Sequence, residues 1–104
     1  MSESNRNLTT QTKHDQMVLR IAREYEGKDY KVYADIEGYR KPPIIGGYRP
    51  DVLAVKHGHR TIVEVETLDS VNTHHAAAQD GAFRRACRRS PTTSYKRVIA
   101  QGLR

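Results

Sequence analysis

Asp51-Val52-Leu53-Ala54-Val55-Lys56 and Arg60-Thr61-Ile62-Val63-Glu64-Val65-Glu66 are two apolar runs joined by His57-Gly58-His59, the pattern of a β-hairpin. A two-residue turn through Gly58 and His59 would set Asp51 opposite Glu66 and Leu53 opposite Glu64. Side chains alternate along a strand, so Glu64 and Glu66 share one face, roughly 6–7 Å apart, and Asp51 joins them there. A three-residue turn would shift this register by one and loosen the contact. The same face carries Leu53, Val55 and Ile62, so the acids stand at one end of an apolar stripe.

Like charges facing each other across a sheet destabilise it and raise one another's proton affinity unless a cation intervenes. A hard divalent ion such as Mg²⁺, which takes a few carboxylates together with water and substrate oxygens, answers that need. The plainer alternative is a solvated sheet face, with Asp51 closing a turn after Pro50.

Working outward, Lys13–Glu26 carries Met17, Val18, Leu19, Ile21, Ala22 and Tyr25 at helical spacing, and Gly27 stops the pattern where a left-handed cap fits. Residues 1–12 are polar without periodicity and read as a disordered tail, which leaves 13–104 as one domain. Tyr30–Ile36 alternates as a strand, and the Pro- and Gly-bearing stretch Gly38–Pro50 is a loop. Thr73–Arg89, after a break at Leu68–Asn72, is a helix presenting Ala76, Gln79, Phe83 and Ala86 on one face, and Tyr95–Ala100 is a last strand. Cys87 falls in that helix as a small core residue, and one cysteine allows no internal disulfide.

The formal net charge is +6, and the segment from Arg84 to Arg104 contains basic residues but no acidic ones. Basic surface attracts polyanions by counterion release, which makes nucleic acid the leading partner. Arg84, Arg85, Arg88 and Arg89 would hold a DNA backbone, as would Arg40, Lys41 and Arg49 in the loop before Asp51. Tyr39 and Tyr48 in that loop either stack on a base or pack the loop down. His57 and His59 sit at the wrong end of the strands to join the carboxylates, and adjacent His74 and His75 diverge by about 100° and cannot share an ion. No run is apolar enough to span a bilayer and the polar start lacks a secretory core, so an intracellular, cytoplasmic protein is expected.

Pro50-Asp51 followed by Glu64-Val65-Glu66, within helix, three strands, helix, strand, resembles the PD-(D/E)XK restriction-endonuclease-like nucleases, whose αβββαβ core is an α/β fold with a mixed sheet flanked by helices. The likeness covers roughly residues 13–100 and points to the archaeal Holliday-junction-resolvase branch. It implies Mg²⁺-dependent (or Mn²⁺-dependent) DNA cleavage, with Asp51, Glu64 and Glu66 as metal ligands. In that branch an acid on the first helix completes the site, and Asp15 matches it better than Glu24. Gln79-x-x-x-Phe83 is similar to a glutamine-plus-aromatic motif of exonuclease branches and would set Gln79 near the metal. Glu66 stands where the family's lysine usually is, so it becomes a ligand or general base. Paired cuts or a branched substrate would call for a homodimer. A DNA-binding protein without turnover, or a protein-interaction subunit, is the alternative expectation.

Overall fold

A computed structural model describes residues 5–68 and 73–100. Its order is α1 (Asn5–Gly27), β1 (Lys31–Ala34), β2 (Val52–Lys56), β3 (His59–Thr67), α2 (His74–Arg89) and β4 (Thr93–Ala100). This is the expected helix, three strands, helix, strand series. Residues 69–72, in the expected break, lie outside the described residues, as do 1–4 of the tail.

The stripe Val18, Ile21 and Ala22 makes α1 helical where it meets the sheet, but the helix begins at Asn5 and not at Lys13. Residues 5–12 lack apolar periodicity, yet they contain no Gly or Pro, so a helix nucleated further along can propagate through them. Its end also differs from expectation. The left-handed residue is Asp29 (φ 69°), not Gly27. The Asp29 N–H donates to the Glu26 carbonyl and the Tyr30 N–H to the Tyr25 carbonyl, the paired bonds of a Schellman cap. Tyr25 and Tyr30 close it with rings 4.9 Å apart.

The four strands lie in chain order, β1-β2-β3-β4, with β1/β2 and β2/β3 antiparallel and β3/β4 parallel. The parallel pair needs a crossover, which α2 supplies. From Ile62 to Thr67, β3 is buried on both faces, as its position inside the sheet requires. Val63 and Val65 meet α1 through Val18, Ile21 and Ala22. Leu53 and Ile62 point the other way and pack with Phe83 of α2 and Ile45 of the loop. A helix therefore covers each face. Of the two edge strands, β1 is four residues long, and β4 exposes Ser94, Lys96 and Arg97.

The hairpin turn sits one residue earlier than expected, at His57 (φ 53°) and Gly58 (φ 80°), with Lys56 paired to His59 and Val52 to Val63. Positive φ at both central positions is the type I′ geometry, which favours glycine second. Gly58→Ala is expected to cost about 1–2 kcal/mol, readable as a lowered urea midpoint with an unchanged slope. A second tight turn, Gly46-Gly47, folds Ile45 back onto Tyr48 within the loop. Cys87 is half-buried, less enclosed than a core position.

Candidate functional site

The earlier turn moves each cross-strand partner by two residues, so every side chain keeps its face. Continuing the observed pairing past Val52 and Val63 sets Asp51 level with Glu64, not Glu66. The two acids interlock: the Asp51 N–H donates to Glu64 Oε2 at 2.8 Å, and the Val65 N–H donates to Asp51 Oδ2 at 2.8 Å. The Asp51 carbonyl accepts from the Asp35 N–H at 2.9 Å, which ties the residue to the end of β1. Buried Pro50 precedes it. Asp51 is thus held by the backbone N–H groups of Val65 and Asp35 and by the Glu64 carboxylate.

Glu64 is 3% exposed and Glu66 6%. Burial, then the charge of Asp51, pushes the Glu64 carboxyl up to about 8; the Asp51 N–H opposes the rise and Glu66 adds to it.

His14, which sequence reasoning passed over, sets a positive charge against Asp51. Its Nε2 lies 3.3 Å from Asp51 Oδ1 and its Nδ1 3.1 Å from Asp15 Oδ1. The Asp51 hydrogen bond holds the imidazolium up to about 9 against burial, with Asp15 helping. The signal was present: His14 continues the Val18, Ile21, Tyr25 stripe one turn toward the N-terminus, and so faces the sheet. Asp15 comes to the site through this histidine and lines a groove with Gln16, Leu19 and Ile36. Glu24, the weaker match, pairs with Arg20 on the exposed side of α1.

The donor chemistry fits a hard divalent ion: oxygen ligands, one of them a buried acid set beside a second acid. Asp51 and Glu64 are the pair that would hold it. Among the described residues, however, no group of three His, Cys, Asp or Glu side chains is arranged to hold a metal ion. Asp51 Oδ1 is turned toward His14. Gln79 is half-buried on α2, one turn before Phe83.

The expected DNA-contacting cations divide into two sets. Lys41 binds Asp35 at 2.9 Å, Arg49 donates to the Pro42 carbonyl, and Arg84 is held by Asp80 at 2.7 Å while lying over the Tyr95 ring. Burial would raise the Asp80 pKa, but the hydrogen bonds from Arg84 and from the Tyr95 hydroxyl outweigh it and hold it below the usual range. Arg40, Arg85, Arg88 and Arg89 are exposed. Tyr39 donates to Glu26, and Tyr48 packs edge-on to His75 and Phe83, so both tyrosines pin the loop down. His59 binds Ser94 at the far end of the hairpin, apart from the acids.

No helix among the described residues is long and apolar enough to cross a membrane. No curated protein and no solved structure matches the chain. A family model described as REase_AHJR-like matches residues 6–99. With that match spanning nearly the whole length, and a mixed sheet carrying a helix on each face, the chain belongs to the AHJR-like family of restriction-endonuclease-like proteins.

Proposed function

We propose that the protein is a Mg²⁺- or Mn²⁺-dependent DNA endonuclease that hydrolyses phosphodiester bonds. The observation that carries this reading is the interlocked pair Asp51 and Glu64, one acid buried and charge-strained, in a restriction-endonuclease-like chain. A divalent ion between them would supply polarisation of a phosphoryl oxygen and activation of water. Asp51 would offer Oδ1, the oxygen not engaged by Val65, and Glu64 would offer Oε1. Glu66, next on the same face, would complete the ligand set, or orient and deprotonate the attacking water. Asp15 and Gln79 would flank the ion from the two helices. His14 acts as a positioning residue that neutralises Asp51 and Asp15 until the ion and substrate arrive. A homodimer would supply two sites for a paired cut.

The expected result is nicking of supercoiled plasmid in Mg²⁺ or Mn²⁺, none with chelator, and none by folded Asp51→Ala. Undiminished cleavage by that variant would sink the proposal. Glu66 in place of the family's usual lysine favours a second reading, a DNA-binding protein without turnover. That reading predicts salt-sensitive binding with no metal-dependent product.

A further inference from the structure

Arg60, Arg85 and Arg89 converge on a concave pocket of about 440 Å³, whose other walls include Gly46, Ala82 and Ser90. Arg85 and Arg89 lie one turn apart on the same side of α2, and Arg60 reaches in from β3. Among the described ion pairs none neutralises these three, whereas Arg84 next door is taken by Asp80. The Arg60 Nε makes a long 3.4 Å contact with the Thr93 hydroxyl. The loop wall is close-fitting: a Cβ at Gly46 (φ 63°) would come 3.2 Å from the Ala82 Cβ. The C-terminal carbonyls of α2 oppose an anion with about half a negative charge, which three guanidinium groups exceed severalfold.

We infer that this pocket binds a phosphate of the DNA backbone, distinct from the scissile one. The inference rests on the nuclease reading for the identity of the ligand. Arg60 and Glu64 point to the same face of β3 four residues apart, roughly 13 Å along the strand. A phosphate bound in the pocket would therefore lie roughly 13 Å from the carboxylates, too far to be the scissile one. A planar guanidinium donates in a fork that matches phosphate oxygens, and three of them around one cavity suit a single tetrahedral anion better than a smooth basic surface does.

The test is anisotropy of a labelled duplex titrated with the full chain in chelator, across a series of salt concentrations. For the triple variant R60Q/R85Q/R89Q we expect at least tenfold weaker binding. The log–log salt slope should fall by about 0.9, the value for one phosphate. Arg23→Gln, on the exposed side of α1, should change affinity less than twofold. The exposed pair R85Q/R89Q, with an unaltered melting temperature, gives the same reading if Arg60→Gln disturbs β3. A slope falling by about 2.7, one phosphate per arginine, overturns the pocket in favour of scattered surface charge. Native-like binding by the triple variant, an equal loss in Arg23→Gln, or no salt-dependent binding by the native chain also overturns it. Because no metal is present, native protein that binds in this way but never nicks would leave the pocket standing and end the nuclease reading.

Discussion

Glu64→Gln is expected to abolish metal-dependent nicking while making the metal-free protein less sensitive to alkali. Losing one of the two carboxylates proposed to hold the ion would forfeit several kcal/mol of transition-state stabilisation, about 10³-fold or more in rate. The stability readout has a defined sign. The folded-state pKa of Glu64 is raised to about 8 from an ordinary 4.5, so the folded chain keeps a proton that the unfolded chain releases. Stability is then full below about pH 4.5 and declines as pH climbs through 8. His14, raised to about 9 from 6.5, acts in the same direction but only above about pH 6.5. The interval between pH 4.5 and 6.5 therefore reports Glu64, and the decline there should vanish in Glu64→Gln, whose amide oxygen can still accept the Asp51 N–H. Mg²⁺ should raise the melting temperature of the native protein at pH 8 and leave the variant unmoved. A variant that cuts at the native rate, or melts with the native pH profile, would contradict the role given to this acid.

Phe83→Ala should lower the stability of the fold by about 3–5 kcal/mol. Phe83 is fully buried and is the only large apolar side chain among the buried residues named on α2; the others are Ala76 and Ala82. Its ring fills the space between Leu53, Ile62 and Ile45 and touches Tyr95 and Tyr48 at centroid distances of 5.6 and 6.5 Å. Alanine leaves a cavity that this small layer has few side chains to close. For a chain of this length the melting temperature should fall by more than about 12 °C, and amides of α2 should lose exchange protection first. Phe83→Leu, nearer in volume, should cost less than half as much. A loss below about 1 kcal/mol in Phe83→Ala would mean that α2 is held by something other than its ring.

Alternation made the strands readable, because a two-residue period survives errors of register. The pairing shifts by two residues between a turn at Gly58-His59 and the one found at His57-Gly58, so each strand residue keeps its side of the sheet under either placement. Which acid meets Asp51 was not readable by counting alone, since it depends on a one-residue choice within His57-Gly58-His59. The preference of type I′ turns for glycine in second place would have decided it. The start of α1 was hidden because the sequence Asn5–Thr12 has no apolar periodicity, and its cap was misplaced because Asp29 took the left-handed conformation offered to Gly27. His14 was overlooked because its partner Asp51 is distant in sequence, so no local motif contains both. The basic residues illustrate the same limit. Charge was visible in the sequence, but which guanidiniums were already spent on Asp80 or Pro42 required three dimensions.

The rim of the sheet bears on how neighbouring copies meet. Among the described residues no further strand lies beyond β4, and Lys96 and Arg97 stand beside its outer row of backbone groups. A second molecule adding its own β4 there would bring these cations against their twins and desolvate them, which discourages open-ended stacking into fibres. β1, at four residues, offers too short a ledge for such growth. Pairing of two copies would accordingly be directed to helical or loop surfaces, leaving the strands to hold the acids in place.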